Sequence, residues 1–106
     1  METISFDEFK KIDLRVGKII SAKPLEQSEK LLLLEVDIGE IRQIIAGIGK
    51  NYTPEEIIGK QIVIVANLEP RQLLGFESQG MLLAADAEGP VLLGSWKEVL
   101  PGTRIR

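Results

Sequence analysis

The amino-acid sequence predicts an all-β domain, a small five-stranded barrel. Three observations carry this. Apolar residues recur with a period of two in a series of short runs, and glycines and turn residues separate those runs. The only two helix-start signals each leave room for little more than a turn. A chain of 106 residues is sized for one domain, residues 1–106. Hydrophobic residues make up 44%, enough for a core, yet a domain of this length buries only about two-thirds of its unfolded-chain surface. Surplus apolar surface is then a sign of self-association.

The first element is a short N-terminal helical segment within residues 1–11. Ser5 and Glu8 form a capping-box pattern, and Phe6 and Phe9 fall on one face of a single turn. From Ile12 the period becomes two: Ile12, Leu14 and Val16 alternate with Asp13, Arg15 and Gly17. After Gly17 the phase slips to Ile19-Ile20, which predicts a β-bulge beside that glycine. A bent first strand of this kind is what a small barrel needs to close.

Lys23 to Lys30 reads as a polar connector. Leu31 to Ile38 is the second strand, with Leu32, Leu34, Val36 and Ile38 on one face and Leu31 and Leu33 on the other. Gly39-Glu40 turns the chain into a third strand, Ile41 to Ile48. Thr53, Pro54 and Glu56 supply an N-cap, a proline at the first helical position and a capping box, and Gly59 ends the helix. Gln61 to Leu68 is the fourth strand and Met81 to Ala85 the fifth, with Pro70 to Gly80 as a long loop between them. The tail holds one more apolar run, Val91-Leu92-Leu93, and Trp96. Five strands with a short helix between the third and fourth is the order of an OB-fold, a Greek-key barrel whose strand 1–2 and strand 4–5 loops bind oligonucleotides. The barrel then spans residues 12–86, followed by a C-terminal extension over 87–106.

Composition narrows the chemistry. The chain has no cysteine and no histidine, which removes thiolate nucleophiles, imidazole bases, disulfides and the commonest metal ligands. Its acidic residues are scattered along the chain, at most two together, so no metal or cofactor site is indicated. The start Met1-Glu2-Thr3-Ile4-Ser5 has no basic region followed by an apolar run, and no 18-residue apolar span follows. The expectation is a cytoplasmic protein without a membrane segment. The net charge of −3 runs against the basic excess usual in nucleic-acid binders, so any polyanion site must be assembled by the fold.

In a barrel of this order, Lys23 and Lys30 are the cations of the first loop, and Arg71 is the sole cation of the second. Asn67, Gln72, Ser78 and Gln79 add neutral polar groups, and Arg42 starts the third strand beside them. Such a mixture suits phosphate and ribose contacts together with hydrogen bonds to splayed bases. Only five aromatics exist, so a binder of folded RNA shape fits better than a stacking platform for single strands.

Several segments together resemble one family. They are Asp13-Leu14-Arg15-Val16-Gly17-Lys18-Ile19, Ser28-Glu29-Lys30-Leu31 and Arg42-Gln43-Ile44-Ile45-Ala46-Gly47-Ile48. Tyr52-Thr53-Pro54-Glu55-Glu56, Val65-Ala66-Asn67-Leu68, Pro70-Arg71 and Glu77-Ser78-Gln79-Gly80-Met81 continue the match. The chain resembles the tRNA-binding domain found at the C-terminus of methionyl-tRNA synthetases, which also occurs as a separate synthetase β subunit and as a free-standing structure-specific tRNA-binding protein. Endothelial monocyte-activating polypeptide II carries a similar domain. The resemblance implies an OB-fold, recognition of tRNA by its shape in protein biosynthesis, and homodimerisation through the terminal additions. It also implies a partnership with a methionyl-tRNA synthetase catalytic chain, which would hold the ligase chemistry. By position it points to Lys30, Arg42, Asn67, Arg71, Ser78, Gln79 and Met81 as the RNA face. Where relatives often flank Pro-Arg with basic residues, Glu69 and Gln72 stand here, and Lys23-Pro24 replaces a frequent His-Pro.

A second reading is a secretion-chaperone-like member of the same fold, binding unfolded polypeptide through Leu31, Leu33, Leu73, Leu74 and Phe76. An enzyme is the third and least favoured class.

Overall fold

The structure is a computed structural model describing residues 1–106. Helix α1 spans Phe6–Phe9, followed by β1 Leu14–Pro24, β2 Leu32–Asp37 and β3 Ile41–Ala46. Helix α2 spans Pro54–Ile57 and β4 Gln61–Val65; β5 Arg71–Leu73 and β6 Phe76–Ser78 come next, then β7 Met81–Leu82, β8 Ala84–Ala87 and β9 Gly89–Leu92. Strands run β3-β2-β1-β4-β7 in one antiparallel five-stranded sheet, which curls into the nearly closed barrel of an OB-fold. Both capping boxes are present. The Glu8 carboxylate accepts from the Ser5 amide at 3.2 Å, and that of Glu56 from the Thr53 amide at 3.2 Å.

The inward face of β2 is Leu32, Leu34 and Val36, continued by Ile38, as its period predicts. With Ile19, Ile44, Ile62 and Ile64 these fill the barrel, and Ile57 of α2 plugs it. Each such fully buried side chain contributes about 1.5–3 kcal/mol relative to exposure. The bulge of β1 lies elsewhere than the glycine suggests. Register shifts between Ile19 and Ser21, so that Ile19 faces the core, Ile20 faces outward, and Ala22 in place of Ser21 packs inward next. Gly17 serves close approach: a Cβ on it would lie 2.5 Å from Val36 Cγ1 and 2.9 Å from Ile64 Cγ1. The strand also continues through Lys23 and Pro24, because both pair with β2.

The segment from Pro70 to Gly80 is no open loop. Arg71–Leu73 and Phe76–Ser78 form a two-residue hairpin, with Leu73 paired to Phe76. Its apolar residues lie against a second, smaller cluster, Leu25, Leu33 and Ile45, which Leu31, Leu73 and Phe76 partly cover. The expected fifth strand divides. Met81 and Leu82 pair with β4, whereas Ala84–Ala87 pairs with β9. The tail then returns along the edge of β1 that β2 does not reach: the Val16 amide donates to Thr103 C=O at 2.9 Å and the Ile105 amide to Leu14 C=O at 2.9 Å. The Gln61 carboxamide anchors the same tail, accepting from the Val99 amide and the Ser95 hydroxyl, each at 3.0 Å. No helix is long and apolar enough to cross a membrane.

Candidate nucleic-acid interface

The β1–β2 connector and the β5–β6 hairpin meet over the second cluster, where Leu25 and Leu31 from one loop and Leu73 and Phe76 from the other share the same apolar floor. The two loops that an OB-fold uses for binding are thereby fixed side by side. A groove of ≈ 270 Å³ runs between Lys23–Gln27 and Phe76. A smaller cleft of ≈ 50 Å³ brings Arg71, Ser78 and Met81 together and is too small for a nucleobase.

Of the seven residues on the expected RNA face, three present free side chains. Lys30 is exposed while its carbonyl accepts from the Gly49 amide at 2.8 Å, which fixes the end of the connector. Arg71 is exposed on β5, and Met81 is exposed at the start of β7. Neither cation is ion-paired, since the three ion pairs are Lys10–Asp7, Arg15–Asp13 and Arg42–Glu40.

The other four are occupied within the fold. Ser78 is buried; its hydroxyl accepts from the Ile45 amide at 3.1 Å and donates to Gly80 C=O at 3.2 Å. Arg42 Nη1 donates to Ala66 C=O at 2.8 Å and Gln79 C=O at 2.9 Å, and its Nε donates to Glu40 at 2.6 Å. One side chain thus ties β3 to the ends of β4 and β6. Asn67 accepts from the Asp13 amide at 2.9 Å and donates to Lys11 C=O at 2.6 Å, clamping the chain just before β1. The Gln79 side chain accepts from the Gln43 amide at 3.0 Å. Gln43 itself was not legible as part of this frame: its carboxamide donates to Glu77 C=O at 2.9 Å, 34 residues away.

Behind this frame, Arg15 grips Asp13 through two nitrogens at 2.6 and 3.1 Å and donates to Gly102 C=O at 3.2 Å. The Arg15 hydrogen bond lowers the Asp13 carboxyl below its ordinary value, against an opposing contribution from burial. The same hydrogen bond raises Arg15.

The sequence profile of the family described as "Putative tRNA binding domain" matches residues 14–104. The chain is 59% identical over 104 residues to a methionine–tRNA ligase of Methanothrix thermoacetophila, covering 97% of this chain and 16% of that protein. It therefore spans about a sixth of the length of that relative. Among solved structures, a MetRS related protein from Pyrococcus horikoshii superimposes with a TM-score of 0.93 at 40% identity, covering 100% of both chains. The chaperone CsaA of Bacillus anthracis gives a TM-score of 0.90 at 35% identity, covering 99% of this chain and 100% of that one. The chain belongs to the tRNA-binding domain family.

Proposed function

We propose that the protein is a non-catalytic tRNA-binding module that recognises folded tRNA by shape. It acts in the cytoplasm beside methionyl-tRNA synthetase, as a β subunit or in trans, and pairs with a second copy of itself. The observation that carries this reading is the 59% identity to a segment of a methionine–tRNA ligase, over nearly the whole chain. The free cations Lys30 and Arg71, on two loops set side by side, support it. We assign RNA contact to Lys30, Arg71 and Met81. Arg42, Asn67, Ser78 and Gln79 hold the loops in place, because their polar groups already have partners in the fold.

The test is a titration of unfractionated tRNA at several salt concentrations. About 3–5 phosphate contacts per protomer give a slope of log K against log salt of roughly −2 to −4. A flat slope overturns the reading, because phosphates would then not be the ligand.

The likeness to CsaA favours a second reading, capture of unfolded polypeptide. Its surface would have to come from Leu31, Leu33, Leu73, Leu74 and Phe76. Four of these are engaged in the second cluster, which leaves Leu74 as the exposed member. Suppression of the aggregation of a denatured protein, without salt-dependent tRNA binding, would select this alternative.

A further inference from the structure

The β5–β6 hairpin turns through Leu74 and Gly75 alone, the two residues between the paired Leu73 and Phe76. Both have positive φ, 49° for Leu74 and 84° for Gly75. Two positive φ values in a two-residue loop define the hairpin turn whose twist suits its strands, and that turn favours Asn-Gly or Gly-Gly. Leu74 is the sole non-glycine residue of the chain in this region. A leucine is penalised there, because its Cβ crowds the following carbonyl oxygen.

Burial offers Leu74 little in return. Leu73 and Phe76 supply the cover of the second cluster, while Leu74 stays 45% exposed at the tip. A strained residue persists where something outside the local backbone rewards it, and ligand-binding surfaces are where such residues concentrate. The surroundings point to the ligand. Arg71 lies on the same hairpin, and Leu68 and Met81 are exposed nearby on the cleft it shares. The hairpin's one aromatic, Phe76, packs against the second cluster. The tip is an apolar knob three residues along the hairpin from a cation that no ion pair engages.

We propose that Leu74 is a specificity-determining contact of the RNA face, laid against the flat face of a nucleobase that folded RNA leaves unstacked while Arg71 takes an adjacent phosphate. The inference rests on the tRNA-binding reading and deepens it. An unstacked base face is apolar surface exposed to water, and an aliphatic side chain can cover it as apolar wedges do elsewhere. A continuous duplex stacks its bases and offers no such face along its length. Leu74 therefore separates folded tRNA from duplex RNA, a distinction that Arg71 alone cannot make because both carry phosphates.

Leu74→Asn and Leu74→Gly test this, since both residues accept the left-handed backbone more readily than leucine. Each variant is expected to keep or raise the thermal midpoint, yet to bind unfractionated tRNA about fivefold more weakly. Binding to a long continuous RNA duplex should be unchanged in both, whereas Arg71→Ala should weaken binding to both RNAs. Full tRNA affinity in the Leu74 variants, with Arg71→Ala still impaired, overturns the role of Leu74 and leaves the RNA face standing. Full affinity in all three variants, or a parent protein that binds no tRNA, overturns the RNA face and this inference together. A lowered thermal midpoint in both Leu74 variants also overturns it, because leucine would then be serving the fold.

Discussion

Gln79 and Gln43 exchange two hydrogen bonds across the line where the barrel closes. The Gln79 amide donates to Gln43 C=O at 2.7 Å, and the Gln43 amide donates to the Gln79 side-chain oxygen at 3.0 Å. The second bond comes from a side chain where an uninterrupted strand ladder would use a backbone carbonyl. Ser78 repeats the substitution one step along by accepting from the Ile45 amide. Side chains thus join β3 to the β6–β7 segment, and four residues of the expected RNA face spend their polar groups on the frame.

Ser78→Ala should therefore cost stability. It strands the Ile45 amide in a buried position, which costs about 1–3 kcal/mol. For a domain of this size the thermal midpoint should fall by roughly 4 °C or more, as calorimetry would read. An unchanged midpoint would show that the closing seam does not depend on this hydroxyl.

Arg71→Ala should act on binding alone. Arg71 is exposed and has no ion pair, so its removal should change stability by less than about 0.5 kcal/mol. Loss of a charge-assisted and bidentate phosphate contact should weaken tRNA binding by about 1–3 kcal/mol. Undiminished affinity would remove the site from the hairpin.

The Asp13–Arg15 pair should shape the acid limb of stability. Arg15 lowers the Asp13 carboxyl in the folded state, so the pair's contribution is fully present above the unfolded value of about 3.9. It is lost as the pH falls through the lower, folded value. Asp13→Asn should then melt below the parent at pH 6, with the gap shrinking at pH 2.5. A gap of equal size at both pH values would refute the coupling.

Apolar side chains at both ends of the chain should make the protein a dimer. Phe6, Phe9, Val91 and Leu93 are exposed, and Trp96 is exposed at 103%. Leu92, between two of them in the same apolar run, instead packs against the barrel core. A stable pairing should bury at least about 1,200 Å² in total. Sedimentation equilibrium at micromolar concentration should return twice the chain mass, and Trp96→Ala should shift the equilibrium toward monomer. A parent that sediments as a monomer would end the proposal.

What the sequence alone determined was local or periodic. The capping pairs Ser5–Glu8 and Thr53–Glu56 act across three residues, and the inward face Leu32-Leu34-Val36-Ile38 follows from a period of two. The barrel type followed from the order of those elements along the chain, together with the family resemblance. Tertiary structure decided the rest. The bulge sits at Ile20 because the register against β2 shifts there, while the suggestive glycine was needed for its lack of a side chain. The hairpin at Leu74-Gly75 lacked the Asn-Gly signal and was held by the cluster beneath it. Arg42, Asn67, Ser78 and Gln79 looked like ligand-facing polar residues because the partners that fix each of them across the fold lie 24 to 56 residues away. A polar side chain looks free in the sequence until the fold brings its partner within 3 Å, and burial then requires that the bond be made.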